Sequence, residues 1–373
     1  MQESNVKLLC NANFDGAKYT ALSYCWGGRP FINTTTETLE ARKECIKWVD
    51  PPKTFQQAII ITRKLGVRYI WIDSLCVLQD EIDDWEFESS RMCSVYENSY
   101  LTIAASHASD SNGGCFHETK GVGMSTFLRI GSSSNFSDAY ARWGSDSKAL
   151  SSRGWALQER LLSPRTIHYT AKELVWECST GLDCQCGGIH VFGAFDWSKR
   201  MSSARNDVYW QIHNWTWIVA VHSSQNLTIP ADRLPALSGL APQVLAPQAQ
   251  REGWGQYAAG LWRNGLEMTT CWELANKEKA PETHPEYLGP SWSWVNIRGG
   301  VNYPLCIKDG IRRKDVQSLV ELKDVRVSTG SDPTGRVFGA SMLVSGRSVN
   351  ATLSPNPAPA GGGNRQANRE STS

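Results

Sequence analysis

The sequence predicts an α/β fold with a mostly parallel sheet flanked by helices. Three observations carry that expectation. The first third of the chain alternates strand and helix signals in the order β-α-β-α-β, which is the pattern of α/β domains. One of those strands is apolar on both faces, as strands covered on two sides are. The helix before it is bounded by a start signal and a stop signal.

In chain order, "YTALSYCW" at 19–26 is apolar and aromatic and ends at Gly27-Gly28, so it reads as a strand running into a glycine turn. Residues 54–65 read as a helix: Thr54 and Gln57 have capping-box spacing, and Gly66 stands at the stop. Phe55, Ala58, Ile59, Thr62 and Leu65 fall on one stripe of it. In the strand 67–73, Ile70 and Ile72 point one way and Tyr69 and Trp71 the other. A helix over 83–97 and a strand over 100–105, "YLTIAA", follow. Residues 109–114, "SDSNGG", form a loop, and the Ser-rich stretch 131–148 is expected to be irregular. A helix over 153–163 stops at Pro164, and strands at 166–170 and 173–178 flank a turn at Thr170–Lys172. From about 205 the pattern is mainly helical, including "DRLPALSGLA" at 232–241 and "YAAGLW" at 257–262. "GPSWSW" at 289–294 leads to a β-rich end. The tail 354–373 has a disorder-type composition.

The bulk numbers narrow the function. With 38 basic and 37 acidic residues the net charge is +1, which gives no global case for nucleic acid or an anionic membrane. No apolar run approaches the roughly 18 residues of a membrane span, and "MQESNVKLLC" lacks the apolar core of a signal peptide. A cytoplasmic location with mostly reduced thiols among the 11 Cys is the expectation.

Five pieces in order resemble the fungal heterokaryon incompatibility (HET) domain family: "YTALSYCWG", "LGVRYIWIDSLCVLQD", "DWEFESSRMCSVYENSYLTIAAS", "SRGWALQERLLSPR" and "ELVWEC". The resemblance divides the chain into a lead-in at 1–16, a HET domain at 17–180, an accessory region at 181–353 and the tail. It implies a role in allorecognition and programmed cell death after fusion of unlike cells. The family is distantly similar to TIR domains, so a flavodoxin- or TIR-like sheet is implied. Many TIR domains cleave NAD at the nicotinamide–ribose bond with a helix-borne glutamate, usually when self-associated. The resemblance therefore implies NAD(P) as a substrate, with no permanently bound cofactor, a homo-oligomer on activation, and a protein partner of incompatible type. The rival is a non-enzymatic signalling and self-association module that acts by recruiting partners.

The residues offer several places for chemistry. On helix 83–97 at about 100° per residue, Trp85, Met92, Val95 and Tyr96 cluster on one side, and Glu88 lies among them. A carboxylate there is costly unless paired or used. It could stabilise an oxocarbenium-like transition state, so Glu88 is the catalytic candidate; a structural ion pair is the competing reading. Asp73, Gln79 and Asp80 follow a strand end, where ligands bind in open α/β sheets. They could equally cap turns and helices. Ser23, Tyr24, Trp26 and Gly27-Gly28 end the first strand, where a glycine lets a ligand approach the backbone, or simply turns the chain. In helix 153–163, Arg153, Trp155, Gln158, Glu159 and Arg160 form a polar set that either completes a site or locks the helix to the sheet. Cys76 reads as a small core residue. Cys178, Cys184, Cys186 and His190 are zinc-type ligands, but their spacing is not that of a standard knuckle, and no metal is expected.

Overall fold

A computed structural model of the chain describes residues 4–10, 16–116, 126–132, 135–141, 148–185, 187, 190–192, 208–241, 255–278, 282–304 and 320–346. The expected tail and Cys186 lie outside them.

The first strand, β1 (Tyr19–Ser23), is buried over Thr20–Ser23. A short helix α1 (Leu39–Glu44) precedes α2 (Lys53–Lys64), then β2 (Tyr69–Trp71), α3 (Asp73–Cys76), α4 (Ile82–Glu97) and β3 (Leu101–Ala104). The hairpin β4 (Thr126–Ser132) and β5 (Asn135–Ala141) comes next, then α5 (Lys148–Ser151) and α6 (Gly154–Leu162). The strands β6 (Arg165–Tyr169), β7 (Leu174–Cys178), β8 (Gly181–Cys184) and β9 (His190–Phe192) follow in a meander. One seven-stranded sheet results, in the order β2-β1-β3-β6-β7-β8-β9. Its first four strands are mutually parallel and the last three antiparallel. The sheet runs past residue 180, through β8 and β9.

The chain moves from β1 to β2, returns over β1 to β3, then continues to β6. Right-handed crossovers therefore place α2 on one face and α4 and α6 together on the other. The apolar clusters follow that division. Phe55, Ala58 and Ile61 of α2 pack with Leu22, Leu101 and Ile103. Tyr96 of α4 and Leu157, Leu161 and Leu162 of α6 pack with Ala21. The strand order reverses direction at β1 and β3, which is where doubly wound sheets open a crevice at the carboxyl ends of the strands.

Local signals were mostly followed, with four corrections. The stop at Gly66 is a Schellman turn: Gly66 has φ 69°, Val67 N–H donates to the Thr62 carbonyl and Gly66 N–H to Arg63. The start differs. The helix opens one residue early behind Pro52, and Thr54 and Gln57 instead accept the N–H groups of Gly114, Cys115 and Phe116, tying down the loop after β3.

The strand expected over 67–73 pairs only over β2, because Ile72 is already the N-cap of α3. The stretch 131–148 is not irregular throughout. Its described part 131–132 and 135–141 belongs to a hairpin, which pairs from Thr126↔Ala141 to Ser132↔Asn135.

Nor are the described residues after 205 mainly helical. They hold α7 (Val208–Ser223), a 3-10 turn at Pro230–Arg233, α8 (Pro235–Ser238) and α9 (Leu266–Thr269). The remainder pairs as ribbons: β10 (Tyr257–Ala258) with β11 (Leu261–Trp262), β12 (Glu273–Leu274) with β15 (Val301–Asn302), and β13 (Glu282–Thr283) with β14 (Ile297–Arg298). The last ribbon joins β16 (Val320–Thr329) to β17 (Val337–Gly346), the β-rich end. "YAAGLW" is a tight hairpin because Ala259 and Gly260 both have positive φ, 50° and 87°, the requirement of a type I′ turn. Trp215, Leu234, Leu237 and Trp294 of this region share one apolar cluster with α4 and α6.

Candidate functional site

At the carboxyl ends of β1 and β2 the structure brings together Ser23, Trp26, Asp73, Arg153 and Glu159. Ser23 ends β1, and its hydroxyl donates to Glu159 Oε2. The chain then turns through Trp26, whose indole N–H donates to Asp73 Oδ2 at 2.7 Å. The other Asp73 oxygen accepts the Ser74 N–H at 2.7 Å, so the carboxylate sits on the first turn of α3 with both oxygens directed. Arg153 Nη1 donates to the Tyr24 carbonyl. Tyr24 O–H donates to Ser74 Oγ at 3.0 Å, and Tyr96 O–H to the Leu22 carbonyl at 3.1 Å.

Arg153 is positioned by the accessory region. Gly154 N–H donates to the Asn226 carbonyl at 2.8 Å and Asn226 N–H to the Ser152 carbonyl at 2.6 Å. Gly154 is required for that approach, since a Cβ there would lie 2.6 Å from Leu227 Cδ2.

The charges balance unevenly. Burial raises the Glu159 pKa to about 7, against the lowering by Arg153 and by Ser23. Burial also raises Asp73, and Arg153, Trp26 and Tyr24 pull it back. Burial works against the Arg153 charge, but the Glu159 and Asp73 carboxylates outweigh it and hold its pKa up. Glu159 is 3 % exposed, whereas Asp73 and Trp26 are only half-buried. The cluster therefore has an inner carboxyl poised near neutrality and an outer carboxylate held by the Trp26 indole and the Ser74 N–H.

The family model described as "Heterokaryon incompatibility protein (HET)" matches residues 19–159. Residues 19–159 are a HET domain. The match begins on β1 and ends on Glu159, so all five clustered residues lie inside it. No curated protein and no solved structure gave a match.

The remaining candidates of the HET domain lie elsewhere. Glu88 is on α4, partly exposed, with Arg91 Nη1 at 3.6 Å. Burial raises its pKa, with Arg91 and then Asp84 as the charges that act on it, and it faces the side of α3 that carries Cys76. Among the described residues no hydrogen bond or ion pair joins it to Asp73, Arg153 or Glu159. Burial pushes the Cys76 thiol up to about 12, in keeping with a core residue.

Gln79 and Asp80 are bound to the turn before α1. Gln79 N–H donates to the Thr34 carbonyl and its amide to the Val77 carbonyl. Asp80 accepts the Thr36 N–H at 2.9 Å and hydroxyl at 2.6 Å. Asp80 is thus a cap, though not of α4, whose N-cap is Glu81. Gly27 has φ 77°, and its missing Cβ makes room for Asp110, which would be 2.3 Å away. The group approaching that glycine comes from the loop after β3, at the strand-order reversal.

The other residues of α6 point away from the cluster. Trp155 donates to Asp232 at 3.4 Å, Gln158 accepts the Gly239 N–H at 3.0 Å, and Arg160 pairs with buried Glu177 at 2.8 Å. These three lock α6 to its surroundings.

The cysteines separate as well. Cys178 pairs with Gly181 and Cys184 with Val175, at opposite ends of the β7–β8 ladder, so the two thiols stand about 10 Å apart along the strands. The His190 side chain, like Cys186, lies outside what is described. Among the described residues, no group of three His, Cys, Asp or Glu could hold a metal ion, and no helix is long and apolar enough to cross a membrane.

Sequence reasoning missed Tyr96 and Asn226, while Tyr24 was named with Ser23 and Trp26 at the end of the first strand. Tyr96 is buried and falls on the apolar side of its helix, and nothing local marks Asn226, because its role comes from a main-chain contact between distant segments.

Proposed function

We propose that the chain is an effector of programmed cell death in heterokaryon incompatibility, and that its HET domain cleaves NAD(P) at the nicotinamide–ribose bond. What supports this is the pair of carboxyls, Asp73 and Glu159, gathered around Arg153 at the strand ends beside the reversal of strand order. That is the ligand position of open α/β sheets. The TIR-like reading of the sheet rests on the same strand order together with the resemblance in sequence.

In the proposed reaction the bond from ribose C1′ to the nicotinamide nitrogen breaks, and its electron pair leaves with nicotinamide. The oxocarbenium-like ribose is stabilised by a carboxylate. Water then adds at C1′ and gives its proton to that carboxylate, leaving ADP-ribose or its phosphate. Asp73 is the carboxylate that faces the substrate, with Trp26 beside it as an aromatic wall. Glu159 takes over the helix-borne position first expected of Glu88. Behind Asp73, it shares Arg153 and sets the local charge.

The test is nicotinamide release from NAD by the purified chain, with self-association forced by fusion to an oligomer. Asp73→Asn is expected to lower turnover by about 100-fold or more, the range for acid–base groups, and Glu88→Ala to leave it within a few-fold. No turnover by the oligomerised wild type, with cell death still induced on expression, rejects the enzyme. A second reading, a self-association module that recruits partners, is favoured by one observation. Helix α4 leaves Ile82 and Phe87 largely exposed, at 73 % and 56 %. Loss of death in Phe87→Ser with NAD turnover intact would select it.

A further inference from the structure

Arg233 closes the 3-10 turn Pro230–Arg233 and is only 6 % exposed. The neighbouring Asp232 does not serve it, because that carboxylate is held by Arg336 at 3.0 Å and by the Trp155 indole at 3.4 Å. The Arg233 guanidinium lies over the Trp294 ring, 5.2 Å from its centroid, and its main-chain carbonyl accepts His222 Nε2–H at 2.9 Å. Yet Nε and Nη2 are both buried and have no hydrogen-bond partner among the described residues. These two N–H groups form the edge of the guanidinium that takes an oxyanion side-on through two parallel bonds. A buried cation without a partner is costly. Burial lowers its pKa only to about 10, so it remains charged at neutral pH.

Three more unsatisfied atoms lie on the turn that carries Trp294 and on the segment paired with it. Both ring nitrogens of His284 and the Asn296 Oδ1 are buried without hydrogen-bond partners among the described residues. His284 N–H donates to the Asn296 carbonyl at 3.0 Å, continuing the β13–β14 ladder, so the two residues stand opposite each other. Burial lowers the His284 pKa most, and the positive charges of Arg233 and then Arg298 lower it further. The two arms of the cluster therefore share one field, and Asn296 is two residues from Trp294.

A phosphate group complements this set. Its anionic oxygens suit the Arg233 edge and the His284 N–H, and its remaining O–H at neutral pH, or a ribose hydroxyl beside it, suits Asn296 Oδ1. We propose that Arg233, His284 and Asn296 form a binding site for a phosphate group, supplied either as free phosphate or as the monoester of a sugar. The site belongs to the accessory region and is separate from the Asp73 cluster.

The test is a titration of the full chain with inorganic phosphate in one arm and ribose 5-phosphate in the other, at constant ionic strength set with chloride. Thermal midpoint and heat of binding are followed. A saturable rise in midpoint is expected in at least one arm. Tighter binding of the ester identifies a sugar phosphate as the source, and equal or tighter binding of the bare anion identifies free phosphate. Arg233→Met, which keeps the volume over Trp294, should weaken binding at least about tenfold. His284→Phe leaves the arginine in place and should also weaken binding, with an unchanged circular dichroism spectrum. No saturable effect beyond chloride in either arm, or equal binding by wild type and both variants, overturns the site.

Discussion

The molecule buries two arginines and treats them in opposite ways. Arg153, at the end of the parallel sheet, has two carboxylates beside it and a carbonyl on its Nη1. Arg233, in the accessory region, has an aromatic face and a free fork. In the first case the charge is part of the fold's internal balance, and removing it strands the buried Glu159 and the half-buried Asp73. In the second the charge has no internal use among the described residues, and removing it relieves a desolvation penalty. Burial alone therefore does not reveal whether a charged residue is structural. The partners do.

The largest expected effect tests that contrast directly. Arg153→Met should cost about 3 kcal/mol or more, because the Tyr24 carbonyl loses its charged donor and Glu159 and Asp73 lose the positive charge that offsets their burial, read as a lower urea midpoint. Arg233→Met in phosphate-free buffer should be neutral or stabilising, because an uncompensated buried charge is lost. Equal destabilisation by both would show that Arg233 is matched as Arg153 is.

The two regions should also respond to pH with opposite signs. Glu159 titrates near 4.5 when unfolded and about 7 when folded. The folded state holds the proton more tightly, so its contribution to stability falls as pH rises from about 4.5 to 7 and stays low above. His222, buried beside Arg233, is the reverse. Burial, then the Arg233 charge, lower its pKa from 6.5 to about 3, so its contribution is present above 6.5 and is lost as pH falls toward 3. The shift is on the order of 3 kcal/mol for Glu159 and on the order of 5 kcal/mol for His222. Glu159→Gln should therefore gain stability over wild type at pH 8 and lose that gain at pH 4, and His222→Gln should do the opposite. Parallel pH profiles for the two variants would contradict the assignment.

The sequence displayed the first region far better than the second. Periodicity located α2, α4 and α6 within one or two residues, and the order of signals implied the parallel strands. The residues of the cluster were visible too, but not their grouping. Helical periodicity weighs only its own helix, so it placed Glu88 half-buried on α4, as it is, but it could not show that Glu159 is buried with Ser23 of β1 donating to it. Around Arg233 nothing was legible. "DRLPALSGLA" gave short helical turns, but the unmatched fork depends on Asp232 turning to Arg336, more than a hundred residues away. "YAAGLW" read as helix because alanine favours helices. Its tight hairpin is imposed by packing around Trp215, Tyr257 and Trp262.

The smallest expected effect separates the two tryptophans that attend the two clusters. Trp294 offers Arg233 its face. Trp26 offers Asp73 its N–H, while its ring packs edge-on against Phe31 at 5.4 Å. Trp26→Phe keeps most of that ring contact and deletes the donor, so it should cost about 1 kcal/mol, the worth of one hydrogen bond. Because the indole is one of the groups holding the Asp73 pKa down, that pKa should rise further, by less than about one unit for such an energy. Carboxyl carbon shifts of Asp73 followed by NMR across pH would show it. An unchanged Asp73 titration, with the same loss of stability, would mean that Trp26 acts through packing, as Trp294 does, and that Asp73 is ordered by Arg153 and the first turn of α3.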